Sequence, residues 1–200
     1  MHSAINSFRS NLGRVRALGG LYDALYHITT PAVDATDLLR AQIVLAVSAL
    51  DHYVHEITRL GMIEAFSGVR PRTNFFLRFQ VTMDATMAGL ASGGGTSWFE
   101  DEIRGKHGYL AFQDPDRIAD AIRLFSSREL WPSVASKLGL TAQAVKTRLR
   151  LIIERRNKIA HEADMDPSYP GTRWPIHSVD VVDTINFIEN ICEAIHSVVI

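Results

Sequence analysis

The chain is nearly free of cysteine, with a single residue, Cys192, among 200. One thiol excludes an intramolecular disulfide framework and any zinc site built on several thiolates. Long apolar runs are also missing: none reaches about 18 residues, the length at which a membrane-spanning helix is read. The opening stretch MHSAINSFRSNLGRVRALGG carries charges where a secretory signal would need an unbroken apolar segment. Charge of one sign is absent too, since 21 Lys and Arg against 22 Asp and Glu leave a net −1. That balance excludes a global electrostatic hold on nucleic acid, so any such binding must come from a local patch. Strand-type alternation is almost nowhere to be found. What remains is 46% hydrophobic and 22% charged, which suits one globular cytoplasmic domain with a sizeable core.

Helical periodicity fills almost every segment between breakers. Residues about 3–28 carry Ile5, Phe8, Leu12, Val15 and Leu18 at helical spacing, then Leu21, Leu25 and Ile28, with Pro31 as the stop. A long pattern runs from about Thr36 to Phe66, with Asp37 in its first turn, where a carboxylate suits the helix dipole. A third helix is expected from residue 73 or 74 to Leu90, then a loop at Ala91–Gly95. Shorter helices start near Ser97, at Asp114-Pro115, and near Ser126-Ser-Arg-Glu129, which has capping-box spacing. Thr141 opens a long helix to about Glu162; a turn-rich 164–177 follows, then a last helix over about 178–199. The expected architecture is all-α: a single domain with a core of about 36–66 and 141–199 and inserted helices over about 73–139.

Charge is local rather than global. Lys146, Arg148, Arg150, Arg155, Arg156 and Lys158 stand against one acid, Glu154, whereas from residue 162 onward seven acids face one base, Arg173. This makes either a solvated helix face paired with the acidic tail or a phosphate-contacting ridge of Lys146, Arg148, Arg150, Arg155 and Lys158.

On the wheel of that long helix Val145, Leu149, Ile152, Ile159, Ala160 and Ala163 form one apolar stripe. Arg156 falls within it, about 20° from Val145. A guanidinium cannot be neutralised by losing its proton, so this one needs a carboxylate, a ligand phosphate or an interface. Asn157 and His161, four residues apart, share the stripe's edge. Such a trio suits RNA strand cleavage without a metal. The 2′-hydroxyl must lose a proton, the 5′ leaving oxygen must gain one, and the phosphorane gathers negative charge. Imidazole titrates in the right range for the proton transfers. Arginine holds phosphate through two donors and stabilises the developing charge. The plainer alternative is a structural ion pair at Arg156 and a helix-terminal cation at His161.

Arg156-Asn157-x-x-x-His161 resembles the R-N-x-x-x-H signature of HEPN domains. Arg40–Glu56 (RAQIVLAVSALDHYVHE) resembles the long second helix of the RiboL-PSP-HEPN branch, and Arg156–Asp164 with the loop to Trp174 and the final helix resembles its C-terminal half. The resemblance implies a helical bundle, active sites at a homodimer interface, and metal-independent endoribonuclease activity leaving a cyclic phosphate. It implies toxin–antitoxin or phage-defence settings, with an antitoxin or defence-system partner protein. Carried over by position, Arg156 and His161 are the catalytic pair and Asn157 the polar residue between them; no cofactor is implied. Some HEPN proteins are inactive, and a non-catalytic interaction module is the alternative.

Arg40, Val44, Asp51 and His55 lie within about 60° on the second helix. Asp51 is the expected counter-ion of Arg156, with His55 or His52 nearby and Arg40 in support. His27, His107, His177 and His196 read as surface or packing residues. A rival reading of residues 134–145 is a helix-turn-helix, with Ala135, Gly139 and Val145 at its packing and turn positions and Lys146, Arg148 and Arg150 on a DNA-reading helix.

Overall fold

The computed structural model describes residues 1–30 and 33–200. Among them are nine helices: α1 (His2–Ile28), α2 (Thr36–Phe66), α3 (Asn74–Leu77), α4 (Met83–Ala91), α5 (Ser97–His107), α6 (Pro115–Arg123), α7 (Leu130–Leu138), α8 (Ala142–Glu162) and α9 (Ser178–Val199). No strand is present among these residues, and one isolated bridge joins Met165 to Arg173. Pro31, the expected stop of the first helix, lies outside the described residues.

Local chemistry explains most boundaries. Thr141 caps α8 by accepting from Ala144 N, and Asp114 caps α6 from Asp116 N with Pro115 in the first turn. The expected third helix is two: α3 ends at Leu77 and α4 starts only at Met83, where Thr82 accepts from Ala85 N. Thr82 is a good cap, so the chain restarts there rather than continuing. The capping box at Ser126–Glu129 does not form. Glu129 itself is the cap of α7 without a side-chain bond, and Ser126 Oγ accepts instead from Arg128 N.

The core is one hydrophobic cluster reaching from Ala4 to Val199. Helix α2 is its axis, with Leu39, Ala46, Leu50, Tyr53 and Ile57 buried along its length. α1 lies along α2 and buries Ile5, Phe8 and Leu12, so the core extends beyond the expected 36–66 and 141–199. Arg9 and Arg16 of α1 pair across to Glu193 and Glu189 of α9. α5, α6 and α7 close the other side with Phe99, Ile118, Ile122, Phe125 and Val134. Cys192 is buried in α9, and burial pushes its thiol well above the ordinary range. No helix among the described residues is long and apolar enough to cross a membrane.

His107 packs edge-on to Phe79 and Phe112 at the end of α5. Burial, helped by the neighbouring His55, lowers its pKa to about 4. The unfolded chain takes up this proton near pH 6.5, whereas the folded chain resists it until about pH 4. This contribution to stability is therefore full above pH 6.5 and is lost as the pH falls through that window. A thermal melt series from pH 7 to 4.5 should show a shallower acid-side fall for His107→Phe than for wild type; parallel slopes would refute the assignment.

Candidate active site

The apolar stripe of α8 is covered only in part. Val145, Leu149 and Ile152 are buried, Ile153 and Ile159 are half-buried, and Ala160 and Ala163 are open. α8 packs on α2, and Arg40 of α2 meets Asp164 just past the end of α8. Between the two helices the uncovered part of the stripe forms a shallow groove of about 460 Å³ with Ala41, Val44 and Leu45. Leu45 is 45% exposed there.

Arg156 is half-buried and has no carboxylate partner among the described residues. Its Nη1 donates to Asn157 Oδ1 at 3.0 Å, while its Nε is buried with no acceptor. Asn157 and His161 are exposed one turn apart. α8 is unbroken across this segment, so the azimuths of Arg156 and His161 differ by about 140° and their heights by about 7.5 Å.

Asp51 is not the counter-ion of Arg156. Its Oδ1 accepts from Phe112 N at 2.6 Å, and its Oδ2 lies 3.9 Å from His55 Nε2, whose own neighbour is Leu110 O at 3.2 Å. The carboxylate closes the loop between α5 and α6, whose amide nitrogen takes the place expected of the guanidinium. Arg40 and Asp51, near each other on the wheel, are 11 positions apart along α2, about 16 Å, and the structure uses them at separate places.

Arg40 is 6% exposed. Its Nε donates to Asp164 Oδ2 at 2.8 Å, its Nη1 to Thr36 Oγ1 at 2.7 Å and its Nη2 to Trp174 O at 3.0 Å. Arg155 also donates to Asp164 Oδ2 at 2.8 Å and to Pro175 O. Desolvation lowers the Arg155 pKa, with Asp164 pulling the other way. Asp164 is fully buried and is the residue that sequence reasoning missed. The signal was a helix end without glycine: Ala163 and Asp164 adopt φ of 51° and 60°, a conformation that L-residues with side chains rarely hold unaided. Such a stop needs tertiary support, and the two arginines give it.

The expected basic ridge is largely paired. Lys146 and Arg150 both reach Asp116 at 2.6 Å, Arg148 pairs with Asp183 and lies over the Phe187 ring, and Arg155 turns inward to Asp164. Lys158, 5.3 Å above the Trp174 ring, is the ridge member without a carboxylate partner among the described residues. The same pairs answer the helix-turn-helix reading. α7, a left-handed Gly139 (φ 66°) and α8 do form helix, turn and helix, with Ala135 and Val145 buried. The bases on the would-be reading helix, however, are neutralised by aspartates, which would repel a DNA backbone.

No curated protein and no solved structure matches the chain. A model of the RiboL-PSP-HEPN family matches residues 10–200. With nearly the whole chain matched and an all-α bundle as its fold, the chain belongs to the RiboL-PSP-HEPN family.

Proposed function

We propose that the chain is a metal-independent endoribonuclease whose active sites form where two copies meet, acting as a toxin or phage-defence effector. The observation that carries this reading is Arg156, a half-buried guanidinium with no carboxylate, lying on a helix whose apolar stripe the protein leaves open. With a carboxylate ruled out, a phosphate or an interface remains to complete it.

In the proposed step His161 takes the proton of a ribose 2′-hydroxyl, and the freed oxygen attacks the adjacent phosphorus. The bond from phosphorus to the 5′ oxygen breaks and that oxygen takes a proton from water, leaving a 2′,3′-cyclic phosphate and a 5′-hydroxyl, while the protonated His161 returns its proton to solvent. Arg156 holds the phosphate and stabilises the charge gathered on it, Asn157 fixes the guanidinium, and Lys158 meets the strand beyond. Arg40, with its partners, supports the end of α8. Asp51 and His55 belong to the loop between α5 and α6.

The azimuthal gap between Arg156 and His161 favours a shared site, in which one copy's histidine faces the other's arginine. The groove of Ala41, Val44, Leu45, Ile159 and Ala160 gives two copies an apolar contact. The test is digestion of single-stranded RNA in EDTA, with product ends analysed and mass in solution measured. Cleavage in chelator with cyclic phosphate ends, by a dimer, is expected. Leu45→Glu should give monomers and lose cleavage together. A wild-type protein that leaves every RNA intact would favour a non-catalytic interaction module.

A further inference from the structure

Lys146, Arg148, Arg150 and Arg155 of α8 meet acids, but two arginines toward the other end of α2 do not. Arg72 donates from Nε and Nη2 to the carbonyls of Ala65 and Phe66, both at 3.1 Å, which fixes the side chain and leaves Nη1 free. Arg128 is exposed and has no side-chain partner among the described residues. Both line one cavity of about 650 Å³, and Arg123 joins them from the end of α6. Arg123 is paired with Asp120, while Glu129 is the one carboxylate in the lining itself.

Aromatic surface completes this cavity. Phe75 is 55% exposed at its mouth, although the core has room for other phenylalanines of the same segment. Trp131 lies in the wall, its ring locked by donation from Nε1 to Pro115 O at 2.8 Å. Ser127 offers a free-standing hydroxyl on the rim. A fixed cation, Arg72, and an unpaired one, Arg128, beside an open aromatic ring match the general demands of single-stranded nucleic acid, where phosphates take the cations and a base stacks on the ring. A double helix would not enter a cavity of this size.

We propose that the cavity formed by Arg72, Phe75, Arg123, Arg128 and Trp131 is a second binding site for single-stranded nucleic acid, holding a phosphate and its adjoining base. It lies by Ala65 and Phe66, some 20 positions along α2 from the groove at Leu45, or roughly 30 Å. This deepens the nuclease reading by giving the substrate a hold remote from the scissile bond, and it can be tested without cleavage.

The probe is a deoxyuridine dodecamer, which lacks the 2′-hydroxyl and cannot be cut by the proposed route. Its binding to the full-length chain is read by fluorescence anisotropy over a range of salt. Arg128→Glu and Phe75→Ala should each weaken binding about tenfold or more, and Arg128→Ala should reduce the salt slope by about one. A dodecamer carrying 4-thio-2′-deoxyuridine should crosslink to peptides containing Phe75 or Trp131. No binding by wild type at low salt, affinities within about twofold across the variants, or crosslinks confined to α8 would overturn the proposal. Uridine monophosphate that binds as tightly as the dodecamer would overturn its assignment to a strand. Intact binding with no RNA cleavage would defeat the nuclease reading and leave this site standing.

Discussion

Replacing His161 with alanine is expected to lower RNA cleavage by about 10²–10⁴-fold, the span that a positioned acid or base contributes. The fold should tolerate the change. His161 is exposed in the last turn of α8 and makes no hydrogen bond, so the loss is limited to its favourable placement at the helix dipole, under about 1 kcal/mol. Arg156→Ala should also remove about 10²-fold or more, through lost stabilisation of the phosphorane. Arg156→Lys should recover little, since an ammonium cannot hold two phosphate oxygens in a fixed fork while bonding Asn157. Single-turnover rates in EDTA, alongside thermal midpoints, separate chemistry from folding. Cleavage by folded His161→Ala at the wild-type rate would end the assignment of this imidazole.

The bundle was legible because helical periodicity is a local signal that tertiary packing here reinforces. Thr141 and Asp114-Pro115 mark helix starts whose caps form as the residues suggest. The Arg156–His161 segment was legible as a motif on one helix, since its spacing is internal to that helix. Partners were another matter. Asp51 lies midway along α2 and Asp164 just past the end of α8, and the wheel gives no distance between helices. Asp51 is the expected counter-ion, sharing a face with Arg40 and His55, yet Phe112 N takes it. Of the adjacent pair Arg155 and Arg156, it is Arg155 that finds the buried carboxylate, because the end of α8 curls back through two left-handed residues that no pattern announces. The phosphate ridge failed to stay free for a similar reason. Asp114, read only as helix-start chemistry, and Asp116, two residues on, face Lys146 and Arg150 from α6.

These pairings divide labour between neighbouring residues. Arg155 is bound inward and holds the α8 terminus to Pro175 in the loop before α9, which leaves Arg156 with nothing to satisfy it but Asn157. A cation that is structurally occupied cannot also receive a phosphate without giving up its partner, whereas one left short of acceptors gains by doing so. A guanidinium left short of acceptors, rather than total basic charge, is therefore what the proposed site rests on.

Removing the carboxylate of Asp164 should be the most damaging single change to the fold, at about 3–5 kcal/mol for Asp164→Ala. Asp164 is fully buried and a single oxygen, Oδ2, takes both Arg40 and Arg155 at 2.8 Å. Without it two guanidiniums remain together, one of them 6% exposed, and Arg40 cannot escape by deprotonation. The backbone would suffer too. Trp174 N donates to Asp164 O at 2.9 Å and Asp164 N to Lys158 O at 3.0 Å, so the residue knots α8, its loop and α2 together. Asp164→Asn keeps the shape but offers one neutral oxygen to two cations, and should cost less than alanine yet remain clearly destabilising. Urea unfolding gives the size of both effects. Hydrogen exchange should show the amides of Lys158–Glu162 losing protection before the rest of α8, because the clasp secures that last turn. Cleavage by Asp164→Asn, measured below its unfolding midpoint, should then fall in rate more than in RNA affinity, since His161 rides on the loosened turn. A stability within about 1 kcal/mol of wild type for Asp164→Ala would show that the two arginines find other partners, and that the end of α8 is held by its loop rather than by this carboxylate.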